Sequence, residues 1–321
     1  MKRYLLPETG TDYKANLHCH STLSDGKLTP EEIKDAYRAR GYAIVAYTDH
    51  DVLIPHNDLA EADFLPLNGY ELAVSDKNDT VGRTCHFCFI ARDPDNFKQE
   101  CVYPSRYLPE GTEAPVAKHY TPACISSMMQ TGRDAGFFVT YNHPSWSQER
   151  YPEYTAYHGM HAMEMVNFGC KIVGYDDTNS RVYDDMLRAG ERIYCVATDD
   201  NHNKHPLDSR HCDSFGGFTM IRADKLEYRT ITDALFAGNF YASEGPTIGE
   251  LWLEDNTVHI TCSPADRITL TTDFRRACIA LAEDALLTEA NFTLSGEEKY
   301  FRLTVVDAGG RMAFTNAYFV D

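Results

Sequence analysis

The chain has no apolar run long enough to cross a membrane as a helix. Behind Met1-Lys2-Arg3 there is no hydrophobic stretch either, so no secretory signal is expected. Basic residues are scarce beside acidic ones, 30 Lys and Arg against 48 Asp and Glu, and the formal charge is −18. Such a surface repels a phosphate backbone, so duplex or long single-stranded nucleic acid is not an expected partner. Bound divalent cations would offset part of this charge and make a site locally attractive to a small anion. Cys85-His86-Phe87-Cys88 lacks a second CxxC or CxxH partner, and no internal repeat or low-complexity tract occurs. Cys85 and Cys88 therefore read as small hydrophobes in a buried strand. The ten cysteines are expected as reduced thiols in a cytoplasm rather than as a disulfide framework.

What remains is ordinary globular material: 321 residues, 43% hydrophobic and 24% charged, enough for two domains or one large barrel with an appendage. The histidines are placed less ordinarily. They recur in Leu17-His18-Cys19-His20-Ser21 with Asp25-Gly26 after it, then in Thr48-Asp49-His50-Asp51, Asn142-His143-Pro144 and Thr198-Asp199-Asp200-Asn201-His202. Glu71, His86 and Glu164 lie between these segments in apolar stretches. Imidazole with carboxylate is a ligand set for Zn²⁺, Mn²⁺ or Fe²⁺.

The order of elements gives these residues a place. Thr29-Pro30-Glu31-Glu32 carries an N-cap, a first-turn proline and a glutamate at N3, predicting a helix to Gly41. Short strands are expected over 42–47, 64–72, 84–90, 137–141, 162–166 and 192–197, with helices from Thr121-Pro122 to about Gly136 and over 176–189. Strands alternating with helices imply parallel βα units. His18 and His20, Asp49 and His50, His143, and Asp200 and His202 all fall at or just past strand C-termini. A βα-barrel carries its chemistry there.

Residues 91–120 break this rhythm with Pro94, Pro104, Pro109 and Pro115, and read either as a lid or as surface decoration. After Gly245-Pro246, short Thr- and Val-rich strands predict a small antiparallel module whose default role is support or oligomerisation.

Each candidate has a bland reading beside the metal one. A His-x-His pair alone is weak; a turn at Asp25 that folds its carboxylate over the strand end strengthens it. Asp49 and Asp51 are placed to fix the tautomer of His50, although Asp49 also suits an N-cap. Asp199 is a candidate partner for the Asp200-Asn201-His202 group. A buried carboxylate needs a partner, so Glu71 is read as a metal ligand, while Glu164 reads equally as ligand or hydrogen-bonding support. His86, mid-strand between Cys85 and Phe87, reads on its own as a satisfied core histidine. His56, His119, His158, His161, His205, His211 and His259 read as surface or hydrogen-bonding residues.

In this order, the His18–Ser21 and Ser24–Gly26 segments, Thr48-Asp49-His50-Asp51, Gly69-Tyr70-Glu71, His86, Asn142-His143-Pro144 and Asp200-Asn201-His202 resemble the PHP (polymerase and histidinol phosphatase) family over roughly residues 15–245. The β-rich tail with Ala313-Phe314-Thr315-Asn316 is similar to the C-terminal module of a hydrolase-like branch that includes carbamate-cleaving members. The resemblance implies an α/β fold: a distorted seven-stranded, TIM-like βα-barrel over 1–245 and a small antiparallel β domain over 246–321. It also implies two or three divalent ions, Mn, Fe or Zn. Carried over by motif, His18, His20, Glu71 and Asp200 hold one ion, and Glu71 bridges to a second held by His86 and His143. Asp25, His50 and His202 hold a third. His86 thereby becomes a ligand against its bland reading. Some members carry histidine where Asp25 stands, which leaves the third ion open.

The function expected from this is hydrolysis of a small phosphoester by a hydroxide bridging two ions, with the third as Lewis acid on the phosphoryl oxygen. Asp49 is the expected orienter or proton relay beside Glu71, and Lys27, Arg83 and Arg210 are the cations nearest the motifs. The alternative within enzymes is carbamate or amide hydrolysis by the same centre. Outside enzymes it is a non-catalytic metal-binding domain, against which the complete ligand set argues.

Overall fold

Thr29-Pro30-Glu31-Glu32 behaves as its spacing predicts. In the computed structural model, which describes residues 2–113 and 118–320, Thr29 Oγ1 accepts from Glu32 N and Glu32 Oε2 accepts from Thr29 N. This capping box starts α1 (Pro30–Arg38), which buries Ile33 and Tyr37 and ends three residues short of Gly41. At α2 (Pro122–Asp134) the Thr121 hydroxyl accepts from Cys124 N, a side-chain cap without the reciprocal bond. Pro115, part of the expected lid or insertion, lies outside the described residues.

The strands up to residue 245 are β1 (Arg3–Tyr4), β2 (Thr11–Asn16), β3 (Ile44–Tyr47), β4 (Leu65–Ser75), β5 (Thr84–Ala91), β6 (Phe137–Asn142), β7 (Ala162–Asn167), β8 (Tyr194–Thr198), β9 (Phe218–Ala223) and β10 (Phe240–Ser243). Between them lie α3 (Tyr151–Tyr154), α4 (Phe168–Ile172), α5 (Ser180–Ala189) and α6 (Tyr228–Ala237). The expected helix over 176–189 begins only at Ser180, because Asp177 turns inward to accept from Trp146 N at 2.9 Å. The sequence reading missed α6 and β9.

The sheet is mixed, a correction to the expectation of parallel βα units. β2, β3 and β4 run parallel, as do β6, β7 and β8. β4–β5 and β5–β6 are antiparallel. The reason is the connection: residues 76–83 form a turn, too short for the crossover a parallel pair requires. Just past β2 and β8 the backbone meets again. His20 N donates to Asn201 O and Asp200 N to His18 O, each at 3.0 Å, and Cys19 bridges Asn201 in parallel.

Beyond residue 245 come β11 (Ile248–Glu254), β12 (Thr257–Ala265), β13 (Arg267–Thr272), β14 (Ala277–Leu281), β15 (Leu287–Thr293), β16 (Tyr300–Val306), β17 (Met312–Thr315) and β18 (Tyr318–Phe319). All their pairings are antiparallel. One separate sheet has the order β1-β11-β12-β15, while β17 joins β10 and continues the large sheet. Asn316 stands in the break between β17 and β18. Its Nδ2 donates to Gly238 O and Phe240 O, and its Oδ1 accepts from Cys195 N. A buried ion pair between Arg302 and Asp184 (2.7 Å) fixes β16 to α5.

Alternation along β5 sets up the site. Ile90 packs with Leu67, Phe138, Ala162 and Val196 in an apolar interior. Phe87 and Phe89 pack on the other face with Tyr70, Phe137 and Tyr141. His86 and Cys88 share the face of Ile90, so the interior turns polar toward the end of the strands where His86 sits. Among the described residues, no helix is long and apolar enough to cross a membrane.

Candidate metal centre

Glu71 is the hub. It is buried on β4, and its two oxygens face five imidazoles. Oε1 is 3.2 Å from His18 Nε2, 3.2 Å from His86 Nδ1 and 3.4 Å from His143 Nε2. Oε2 is 2.9 Å from His50 Nδ1 and 3.5 Å from His20 Nε2. Asp200 faces three of the same rings, at 3.2 Å from His18, 3.1 Å from His20 and 3.8 Å from His143. Asp25 closes the outer side, 3.6 Å from His50 Nε2 and 3.3 Å from His202 Nε2. All nine residues expected as ligands therefore meet in one place.

These spacings suit donors around shared ions, because bonds of about 2.1 Å at tetrahedral or octahedral angles put neighbouring donors roughly 3–3.5 Å apart. Hydrogen bonding supports the same fit. His20 Nδ1, Asp25 Oδ1 and Glu71 Oε2 are buried without a hydrogen-bond partner, although imidazoles face both carboxylate atoms. Donor sets within reach of one ion are His20, Asp25, His50 and His202; His18, His143 and Asp200; and Glu71, His86 and His143. His20 thus groups with the third set as well as lying beside Asp200. Cys88 lies near His18 and Glu71, where its thiol accepts from Asn142 Nδ2 at 3.1 Å.

Several outer nitrogens are held, which frees the inner ones for ligation. His18 Nδ1 is 2.7 Å from Glu164 Oε1, His143 Nδ1 is 3.1 Å from Ser147 Oγ, and His202 Nδ1 is 3.0 Å from the Asp200 carbonyl. Glu164 also accepts from Thr198 Oγ1, His143 N and Asn167 Nδ2, so its role is support. Asn167 links it onward to Asp200. Asp199 sits in a cradle of Tyr37 OH and the amides of Phe215, Gly216 and Gly217. A Cβ at Gly217 would lie 2.3 Å from Thr198 O, so only glycine permits this approach. Asp200 and His143 take left-handed backbone angles (φ 51° and 28°), strain of a kind that collects where side chains must be aimed.

Burial alone would raise the carboxyls of Glu71 and Asp200, but the surrounding imidazoles hold both well below the usual range. Burial disfavours a charged His143, yet its hydrogen bond to Glu71 and the Asp200 charge lift it to about 9. Burial, His50 and His202 together lower His20 to about 4. The cluster thus keeps its carboxylates ionised and balances them with protons that divalent ions would displace.

Two expectations need revision. Asp49 and Asp51 do not bond His50: Asp49 accepts from Ser21 N, Ser21 Oγ and Ser24 Oγ, and Asp51 pairs with Lys118. Asp49 therefore holds the loop that carries Asp25. Arg83 is engaged by Asp76, Asp79 and Glu153 and does not line the site. A cavity of about 300 Å³ opens over the ligands, and its wall also includes Trp146, Lys204, His205, His211, Asp213 and, from the α4 segment, Gly169, Cys170, Ile172 and Val173. Lys27 and Arg210 are not on that wall. His205 and His211, read as surface residues, stand at its mouth with rings 5.4 Å apart. Only their proximity to Asp200-Asn201-His202 could have flagged them. From the 91–120 segment, Tyr107 stacks on His50 at 5.8 Å.

Glu149, on the segment after His143, is half-buried and accepts from Tyr120, Tyr141 and Tyr157. Burial pushes its carboxyl up to about 7 despite these three donors. The folded state then keeps a proton that the unfolded chain releases above about pH 4.5. This contribution to stability is present below pH 4.5 and is lost as pH rises through 7. Glu149→Gln removes the titration, so the variant should gain stability relative to the wild type between pH 5 and 8, by at most about 3 kcal/mol. Urea unfolding at the two pH values checks this; a difference independent of pH contradicts it.

No protein-family model matches the chain. An 86-residue stretch is 42% identical to a 3',5'-nucleoside bisphosphate phosphatase of Chromobacterium violaceum, covering 25% of this chain and 28% of that protein. A 40-residue stretch is 48% identical to a 5'-3' exoribonuclease of Haemophilus influenzae, covering 12% of this chain and 15% of that protein. The chain thus spans well under a third of the curated relatives it matches. Among solved structures, a two-domain protein from Bacteroides vulgatus, described as containing a predicted PHP-like metal-dependent phosphoesterase, aligns over 99% of this chain and 97% of its own. Its identity is 16% and its TM-score 0.45. This chain resembles PHP-like metal-dependent phosphoesterases. An amidohydrolase from Chromobacterium violaceum, solved with sulfate and without metal, aligns over 59% of this chain and 87% of its own, at 21% identity and a TM-score of 0.36.

Proposed function

We propose that the protein is a metal-dependent hydrolase of a small phosphoester, with its centre built on Glu71. The observation that carries this reading is the single carboxylate facing five imidazoles, two of which, His18 and His143, are braced on their outer side. In this reading His18, His20, Glu71 and Asp200 hold one ion, Glu71, His86 and His143 a second, and Asp25, His50 and His202 a third. Bound there, Mn, Fe or Zn would acidify a water to a nucleophile near neutral pH and stabilise charge developing on the phosphoryl oxygens. Glu71 aligns the first two ligand sets. Glu164 fixes the tautomer of His18, and Asp49 acts as a positioning residue through Ser21 and Ser24.

The scaffold proposed for this centre is a distorted barrel of seven strands, β2 to β8, closed where Cys19 meets Asn201. The boundary to the β-rich unit is placed at Gly245-Pro246. Two relatives named for cleaving phosphoesters support that substrate class over carbamates. The cavity of about 300 Å³ fits a compact substrate, and Lys204 offers an ammonium and His205 and His211 offer hydrogen-bonding imidazoles at its mouth.

The test is a panel of phosphomonoesters, phosphodiesters and aryl carbamates offered to Mn²⁺-loaded protein. Phosphoester cleavage inhibited by inorganic phosphate is expected. Rapid carbamate cleavage that phosphate does not inhibit would replace this function with a carbamate hydrolase.

A further inference from the structure

We propose that the protein pairs with a second copy of itself through β14, edge to edge and antiparallel, about a two-fold axis at Ile279. β14 ends the large sheet and, among the described residues, pairs with β13 alone, in a regular register of Arg267↔Leu281, Ile268↔Ala280 and Thr269↔Ile279. Ala282 N continues that ladder by donating to Asp266 O at 2.8 Å. Backbone direction alternates along an antiparallel strand, so Cys278, Ala280 and Ala282 turn toward β13. Ala277, Ile279 and Leu281 turn their N–H and C=O groups to the open edge.

The side chains make this edge adhesive. Ile279 is 54% exposed and Leu281 56%; Phe274 and Leu286 flank them at 42% and 44%. Four of the ten exposed large hydrophobics among the described residues therefore fall within thirteen positions. Edges that must stay single carry lysine, proline, an inward charge or a bulge. Residues 277–281, Ala-Cys-Ile-Ala-Leu, have none of these.

Charge selects the occupant. Arg275-Arg276 precede the strand and Glu283-Asp284 follow it. Antiparallel pairing centred on Ile279 sets residue 275 of one copy opposite residue 283 of the other. Arg275 then meets Glu283 twice across the axis, and Ala277 meets Leu281 twice. The strand is thus complementary to itself in both hydrophobicity and charge. A parallel arrangement would set Arg275 against Arg275, an unfavourable pairing.

Sedimentation of the full chain over a dilution series should show a dimer that dissociates on dilution. Ile279→Lys places two lysines on the axis and should weaken association at least about tenfold. Arg275→Glu and Glu283→Arg should each weaken it, and the double substitution should restore it. Should Ile279→Lys fail to fold, Ile279→Cys decides independently. Paired Cα atoms on the axis lie about 5.5 Å apart, within disulfide range. Mild oxidation should therefore cross-link Ile279→Cys and not the wild type. A wild type that is monomeric throughout, a dimer indifferent to Ile279→Lys and to both charge reversals, or no cross-link from Ile279→Cys overturns the proposal.

Discussion

His86→Ala is expected to lower kcat by about three orders of magnitude, roughly 4 kcal/mol of lost transition-state stabilisation. His86 Nδ1 lies 3.2 Å from Glu71 Oε1, the same oxygen that faces His18 and His143. Truncating it opens the set that Glu71 shares with its neighbours. Asp25→Ala should behave differently in kind, because Asp25 pairs with His50 and His202 on the outer side and has no contact with Glu71. A measurable fraction of turnover should survive, with one ion fewer per chain. Steady-state kinetics of the two variants in Mn²⁺, with metal content measured on the same samples, make the comparison. Near wild-type rates and full metal content in His86→Ala would return that residue to its bland reading as a core histidine.

Stripping the metals should abolish turnover altogether and soften the fold. An ion that binds only the folded state stabilises it by about 3 kcal/mol when present at a hundredfold over its dissociation constant. Here the ligands come from within β4 and β5 and from the ends of β2, β3, β6 and β8, so each loss loosens several strands together. Thermal unfolding after dialysis against a chelator should show a lower Tm, and added Mn²⁺ should restore both Tm and rate. A Tm that does not respond to metal contradicts a centre of this kind.

Much of this centre was legible in the sequence because strand-end loops concentrate it into short words. His18-Cys19-His20, His50 and Asp200-Asn201-His202 each stand where a strand stops, and the side chains of their histidines and Asp200 meet at one rim. His86 was harder. It lies inside a strand between apolar neighbours, and only the register of β5 against β4 and β6 puts it beside Glu71 rather than in the apolar interior. The supporting residues were less legible still. Asn167, Ser147 and Trp146 recur at no helpful spacing; they matter because loops after β6 and β7 fold onto the ligands. Asp49 misled for the opposite reason. Its neighbour in sequence is His50, but consecutive residues point apart, and its carboxylate serves Ser21 and Ser24 instead.

The fold was read in part. Capping signals at Thr29 and Thr121 gave two helix starts, while the antiparallel turn of β4 into β5 was hidden because a strand's sequence does not encode its partner's direction. α6 escaped notice because its apolar residues Ile231, Ala234 and Leu235 follow Glu227, which offers no side-chain cap. The continuity of β10 with β17 was invisible for a similar reason. Gly245-Pro246 reads as a break in composition, yet β10 pairs across it with β17, Ala242 opposite Phe314 and Ser243 opposite Ala313.

The most direct test of the account is elemental analysis of protein purified without chelators and reconstituted with Mn, Fe or Zn. Two or three equivalents per chain are expected, falling by one in Asp25→Ala. Less than one equivalent of the three metals combined, after reconstitution, would contradict the metal centre on which the proposed function rests.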